Sequence, residues 1–307
     1  MSTSAKNQEC VISESVRFRL AGGQNPLILV PVHVDDKGPY EFILDTGASH
    51  CLLSPGLSEV LGVRPEIEKQ AMGAAGPVRL AFAHVASLAV GSTRQYNVRV
   101  GITDELRRIG AAIGSRVDGG LGFEFVKDFS LTIDYHIRAL WFGSPSETCN
   151  GSHFAHLIPF KLAATRKPLI LVQVIVNDQG PFQFALDTGA SRTMLSSDLA
   201  AKLALETVED APITGAGGQI RILAAKVNSL AVGDAIVRDH AIGVGEFLAT
   251  LSAAAGVKLD GILGYNFLNR FRVSIVYPRG ILELVPAVSN EAPGARRGDP
   301  ARRLVGG

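Results

Sequence analysis

The sequence predicts an all-β protein with short helices, built as two tandem lobes. One observation is length: 307 residues suit two domains of about 120–150 residues better than one core. A second is an internal repeat. Residues 26–54 read PLILVPVHVDDKGPYEFILDTGASHCLLS and residues 168–196 read PLILVQVIVNDQGPFQFALDTGASRTMLS, with 19 identities in 29 positions at an offset of 142. The same offset aligns LAVG at 88–91 with 230–233, and DGGLGFEF at 118–125 with DGILGYNF at 260–267, so one unit occurs twice without net insertion. The third observation is a period of two in the apolar residues at the head of each unit.

Each unit opens on that alternation, with Ile28, Val30, Val32 and Val34 in the first and Ile170, Val172, Val174 and Val176 in the second. Such spacing gives a strand with one buried face. A polar turn follows, DDKG before Pro39 and NDQG before Pro181, and then a second strand through Phe42 and Leu44 or Phe184 and Leu186. This hairpin delivers the chain to DTGAS, where Gly47 and Gly189 permit a sharp turn after an aspartate at a strand end. Helices are expected near 102–113 and 245–255, from Leu106 and Ile109 or Phe247, Leu248 and Leu251, with Gly114 and Gly256 as stops. The expected division is a first lobe over 16–143, a linker over 144–166 with a strand near Leu157–Phe160, a second lobe over 167–286, and a disordered Pro-, Gly- and Arg-rich tail over 287–307.

Bulk composition narrows the partners. With 47% hydrophobic residues and a formal charge of +1, the chain can bury a sizeable core, and it has no long-range electrostatic reason to hold nucleic acid or an anionic membrane. Cys10, Cys51 and Cys149 form no CxxC pair, which suits a reducing compartment. The first 25 residues lack an apolar secretory core, and no stretch approaches the roughly 18 apolar residues of a membrane span. A soluble, cytoplasmic protein is the expectation.

A lone DTG is a weak signal, because an aspartate at a strand end usually caps a turn. Here DTGAS occurs twice, each time after a Phe-x-Leu strand and 73 residues before a DGxLG segment. That joint pattern resembles the retroviral-type aspartic peptidase lobe, and the tandem chain is similar to the bacterial retropepsin-like proteins, over nearly all of 26–143 and 168–285. The resemblance implies two closed-barrel lobes related by a pseudo-two-fold axis, in a monomer that is its own internal pseudo-dimer. It implies catalytic roles for Asp45 and Asp187, and loop support from Thr46, Gly47, Thr188 and Gly189, the threonines cross-bracing the two loops. DGGLG and DGILG resemble the segment that packs behind each aspartate loop. Gly120 departs from that pattern, which implies weaker support in the first lobe.

Two carboxylates about 3 Å apart cannot both ionise cheaply, so such a pair shares one proton and can act as acid and base together. No metal or cofactor is needed for this chemistry. The implied activity is therefore an endopeptidase acting on a peptide or protein substrate. Glycine-rich stretches at the repeat offset, Gly73, Ala74, Ala75 and Gly76 in the first lobe and Gly215, Ala216, Gly217 and Gly218 in the second, resemble flaps that close over substrate, with ordinary hairpin turns as the plainer reading. Neither contains the tyrosine of a pepsin-like flap. Paired titration of the two acids implies a bell-shaped rate profile, and alanine at 48 and 190, where pepsin-like enzymes usually carry serine, implies an optimum at mildly acidic to near-neutral pH.

Other groups read more plainly. His153 and His156 stand at HxxH spacing without an acidic third ligand. Asp118 and Asp260 suit structural turns, and Cys51 suits the core. Two alternatives to catalysis stay open: a silent peptide-binding or regulatory protein on the same two-lobed fold, and an assembly scaffold.

Overall fold

The computed structural model describes residues 14–144, 155–163 and 168–287. Cys10, Cys149, His153 and the tail beyond 287 lie outside the described residues.

Each repeat folds into a closed six-stranded barrel. In the first, Leu27–Val34 pairs with Lys37–Leu44, which continues through Gly119–Leu121, Cys51–Leu53, Thr93–Ile102 and Gly76–Val90. The ring closes where His33 and Val34 pair with Ala89 and Leu88. The second barrel runs Ile170–Val176, Gln179–Leu186, Gly261–Leu263, Met194–Ser196, Ala235–Gly245 and Leu223–Val232, and Val174 paired with Val232 closes it. The alternating residues expected to be buried are all 1% exposed or less, from Ile28 to Val34 and from Ile170 to Val176.

The hairpin turns are tighter than the four residues the sequence suggests. Only Asp35–Asp36 and Asn177–Asp178 lie between the strands, all four at positive φ from 50° to 62°. This two-residue geometry matches the twist of the flanking strands, and Asn and Asp tolerate it better than other side-chain-bearing residues.

Among the described residues six short α-helices decorate the barrels: α1 (Pro55–Leu61), α2 (Glu105–Ala112), α3 (Phe123–Val126), α4 (Ser197–Lys202), α5 (Phe247–Ala255) and α6 (Tyr265–Leu268). In α1 and α4 the hydroxyls of Ser54 and Ser196 cap the helix by accepting from the N–H of Leu57 and Leu199. The helices expected at 102–113 and 245–255 are α2 and α5, each starting two or three residues later because the preceding strand runs on through Ile102 and Gly245. The stop at Gly256 is left-handed at φ 69°.

A separate six-stranded sheet joins the lobes, in the order Val16–Arg17, Ala139–Gly143, Ser130–Asp134, Phe271–Val276, Ile281–Pro286, His156–Pro159. At its centre Thr132 pairs with Ser274, its own equivalent at the 142-residue offset, and their hydroxyls meet at 3.0 Å. The pseudo-two-fold axis therefore passes through this pair. The strand expected near Leu157–Phe160 is His156–Pro159. With Lys161–Leu162, which pairs with Ile170–Leu171, it is the equivalent of Val16–Arg17 and Arg19–Ala21 in the first lobe. Part of the stretch read as linker thus belongs to the second structural repeat.

Among the described residues no helix is long and apolar enough to cross a membrane.

Candidate active site

The strands ending at Leu44 and Leu186 carry the two DTG turns toward each other. Asp45 and Asp187 are anchored from behind, since their N–H groups donate to the carbonyls of Leu121 and Leu263 at 3.0 Å. This gives the DGxLG segments their purpose. The following glycine must lie flush against the aspartate loop. A Cβ on Gly122 would stand 2.3 Å from the His50 carbonyl oxygen, and one on Gly264 2.4 Å from that of Arg192. The N–H groups of Phe123 and Tyr265 then donate to the carbonyls of Ala48 and Ala190.

Across the axis the threonines interlock. The N–H of Thr46 donates to Thr188 Oγ1 at 3.0 Å, and the N–H of Thr188 donates to Thr46 Oγ1 at 3.0 Å. Each hydroxyl in turn donates to the other lobe's strand, Thr46 to the Leu186 carbonyl at 3.3 Å and Thr188 to the Leu44 carbonyl at 2.8 Å. Both threonines are 2% exposed. Four hydrogen bonds in a buried setting fix the loops as one unit.

The brace brings the carboxylates together. A Cβ on Gly47 would lie 2.6 Å from Asp187 Oδ2, and one on Gly189 would lie 2.7 Å from Asp45 Cγ. Each acid therefore sits against the glycine of the other loop, where only glycine fits. The N–H of Gly47 also donates to Asp45 Oδ1 at 2.9 Å, and that of Gly189 to Asp187 Oδ1 at 2.8 Å. Two acids so placed can divide acid and base roles between them.

Tyr277, which sequence reasoning passed over, lies close enough for the charges of Asp45 and Asp187 to add to burial in pushing its phenol pKa up. Its equivalent is Tyr135. Tyr277 packs edge-on to Phe123 at 5.8 Å, and Tyr135 to Tyr265 at 5.5 Å, so each crosses to the other lobe. Identity of the two tyrosines at the repeat offset was the available signal.

The flap stretches are hairpin tips, Gly73–Gly76 between Ile67–Gly73 and Gly76–Val90, and Gly215–Gly218 between Ile213–Gly215 and Gly218–Ile220. They meet. The N–H of Ala75 donates to the Ala216 carbonyl at 2.8 Å, and a Cβ on Gly73 would lie 2.3 Å from that same oxygen. Ala74 and Ala75 pack on an apolar cluster of the second lobe that also takes in Ala190, while Ala216 packs on Val78, Leu80 and Phe82 of the first.

Residues set aside from catalysis have other duties. Asp118 Oδ2 accepts from the N–H of Glu41 at 3.1 Å, and Asp260 Oδ2 from that of Gln183 at 3.0 Å, so both hold strands. Cys51 is wholly buried, with its thiol pushed up to about 12 by that burial. Among the described residues no cluster of three or more His, Cys, Asp or Glu could hold a metal ion.

A family model described as Aspartyl protease matches the chain twice, over residues 30–125 and 172–267. No curated protein matches it. The two matches span more than half of the chain and contain both DTG loops, both flap stretches and both DGxLG segments. The protein is a member of the retropepsin-like aspartyl protease family, with two family domains in tandem.

Proposed function

We propose that the protein is an aspartic endopeptidase that hydrolyses peptide bonds with a water activated by Asp45 and Asp187. The observation that carries this reading is the reciprocal seating of each carboxylate against the other loop's glycine, held by the four threonine hydrogen bonds. In the proposed reaction the ionised acid takes a proton from the water while the water oxygen bonds to the scissile carbonyl carbon. The protonated acid donates to the carbonyl oxygen as charge develops there. Collapse of the tetrahedral species breaks the carbon–nitrogen bond and passes a proton to the departing amine. Neither acid owns the shared proton, because the pair titrates as a unit. The substrate is an extended peptide lying between the dyad and the flaps, and one chain supplies both halves of the site.

Asp45→Asn and Asp187→Asn test the reading against a diverse peptide library. Each is expected to lower cleavage by about a thousandfold or more, as general acid–base assistance contributes about 10²–10⁴, with thermal unfolding unchanged. Cleavage surviving in either variant removes the dyad, and absence of cleavage in the wild type returns the protein to a peptide-binding role.

A further inference from the structure

The two flap tips are related by the repeat, yet their equivalent N–H groups have different partners. Ala75 donates to the other flap. Its equivalent, Gly217, donates at 2.9 Å to Oε2 of Glu105, in the first turn of the first-lobe helix α2. Glu105 is 6% exposed, and its Oε1 is ion-paired with Arg108 one turn on. The equivalent of Glu105 in α5 is Phe247, which packs on the same apolar cluster as Ala74 and Ala75. Each flap therefore packs on the opposite lobe, and beyond the bond the tips share, the second flap also donates to a carboxylate of that lobe's helix.

The backbone supports the difference. The tip of the second flap has two consecutive residues at positive φ, Gly217 at 100° and Gly218 at 140°, whereas the first has only Gly76 at 139°. Glycine at 217 lets that peptide turn its N–H toward Glu105. A Cβ there would also lie 2.7 Å from the backbone nitrogen of Gly76.

We infer that Glu105 is a positioning residue that latches the second flap, so that the first flap is the one that lifts to admit substrate. Lifting the first flap breaks the Ala75–Ala216 bond and an apolar contact. Lifting the second breaks the same bond, the packing of Ala216 on Val78, Leu80 and Phe82, and in addition a hydrogen bond to a carboxylate, the stronger class of such bonds. A cleft that is nearly symmetric in its dyad thereby acquires a direction of entry. This use of the flaps rests on the peptidase reading, but the latch itself does not.

Hydrogen exchange read by mass spectrometry on the full chain, without substrate, tests the latch. The first flap is the longer hairpin, seven residue pairs against three, so each flap is compared with itself across variants. Glu105→Ala is expected to speed exchange over 213–220 about tenfold and to change 71–78 less, while Glu105→Gln, which keeps an acceptor, speeds it less. Unchanged exchange over 213–220 in Glu105→Ala overturns the latch, and so does an equal change in both flaps. If α2 itself frays in the alanine variant, seen as faster exchange over 105–112, the glutamine variant decides. A chain without peptidase activity would give the same exchange pattern, so failure of the catalytic reading appears only in the dyad variants.

Discussion

His240 illustrates how a single residue can couple this fold to pH. It lies on Ala235–Gly245, 4% exposed, edge-on to Phe267 at 6.2 Å, and its Nε2 has no hydrogen-bond partner among the described residues. Burial, reinforced by the nearby charge of Arg270 and opposed by a hydrogen bond with Asn266, lowers its pKa to about 4. The unfolded chain takes up a proton near pH 6.5 and the folded chain does not, so the stability from a neutral His240 is complete above about 6.5. It is lost as pH falls toward about 4, at most roughly 3 kcal/mol at 1.36 kcal/mol per unit. Urea midpoints at pH 7 and pH 5 are expected to differ less in His240→Leu than in the wild type; an unchanged difference contradicts this account. At this scale the facing of Asp45 and Asp187 was legible because DTG recurs within a repeated motif. Glu105 was not, because its role depends on a contact 112 positions away in sequence that no local pattern encodes.

The strand Gly119–Leu121 shows what an element loses when one side chain is missing. Its equivalent, Gly261–Leu263, makes the same parallel and antiparallel pairings, so the backbone support of the aspartate loop is equal in both lobes. The difference is in packing: Ile262 is 5% exposed within an apolar cluster, and Gly120 fills no such place. A Cβ on Gly120 would meet nothing nearer than Leu52 at 3.6 Å, and its φ is not in the left-handed region. Gly120→Ala is therefore expected to stabilise the protein by about 0.4–1 kcal/mol, chiefly by restricting the unfolded chain. Calorimetry reads this as a higher Tm, and a lower Tm shows that the strand needs glycine. The departure at Gly120 was visible in the sequence. That its cost falls on packing and leaves the hydrogen-bonded support intact required the strand register.

For the whole molecule, the repeat made two lobes legible, since a period of about 142 residues leaves little choice. The sheet that joins them was hidden, because its strands pair across lobes and its outer members begin before the recognisable motif. That sheet and the threonine brace support the proposal that one chain supplies both halves of the site. Activity per mole is accordingly expected to be independent of dilution, and mixing Asp45→Ala with Asp187→Ala chains is expected to restore nothing. Rescue on mixing, together with activity that falls on dilution, would show exchange between chains.

The meeting of Thr132 with Ser274 has one more consequence. It fixes a point on the pseudo-two-fold axis, and the Thr46–Thr188 brace fixes a second. Joined at two separated places along one line, the lobes resist sliding past each other and gaping, and the pairing of Ser130–Asp134 with residues 272–276 resists swivelling about that line as well. The facing acids lie beside the same line, so the contacts that hold the lobes also hold the separation of the pair. On the proposed peptidase reading, room for a substrate must therefore come from the flap tips and not from the seam between the lobes.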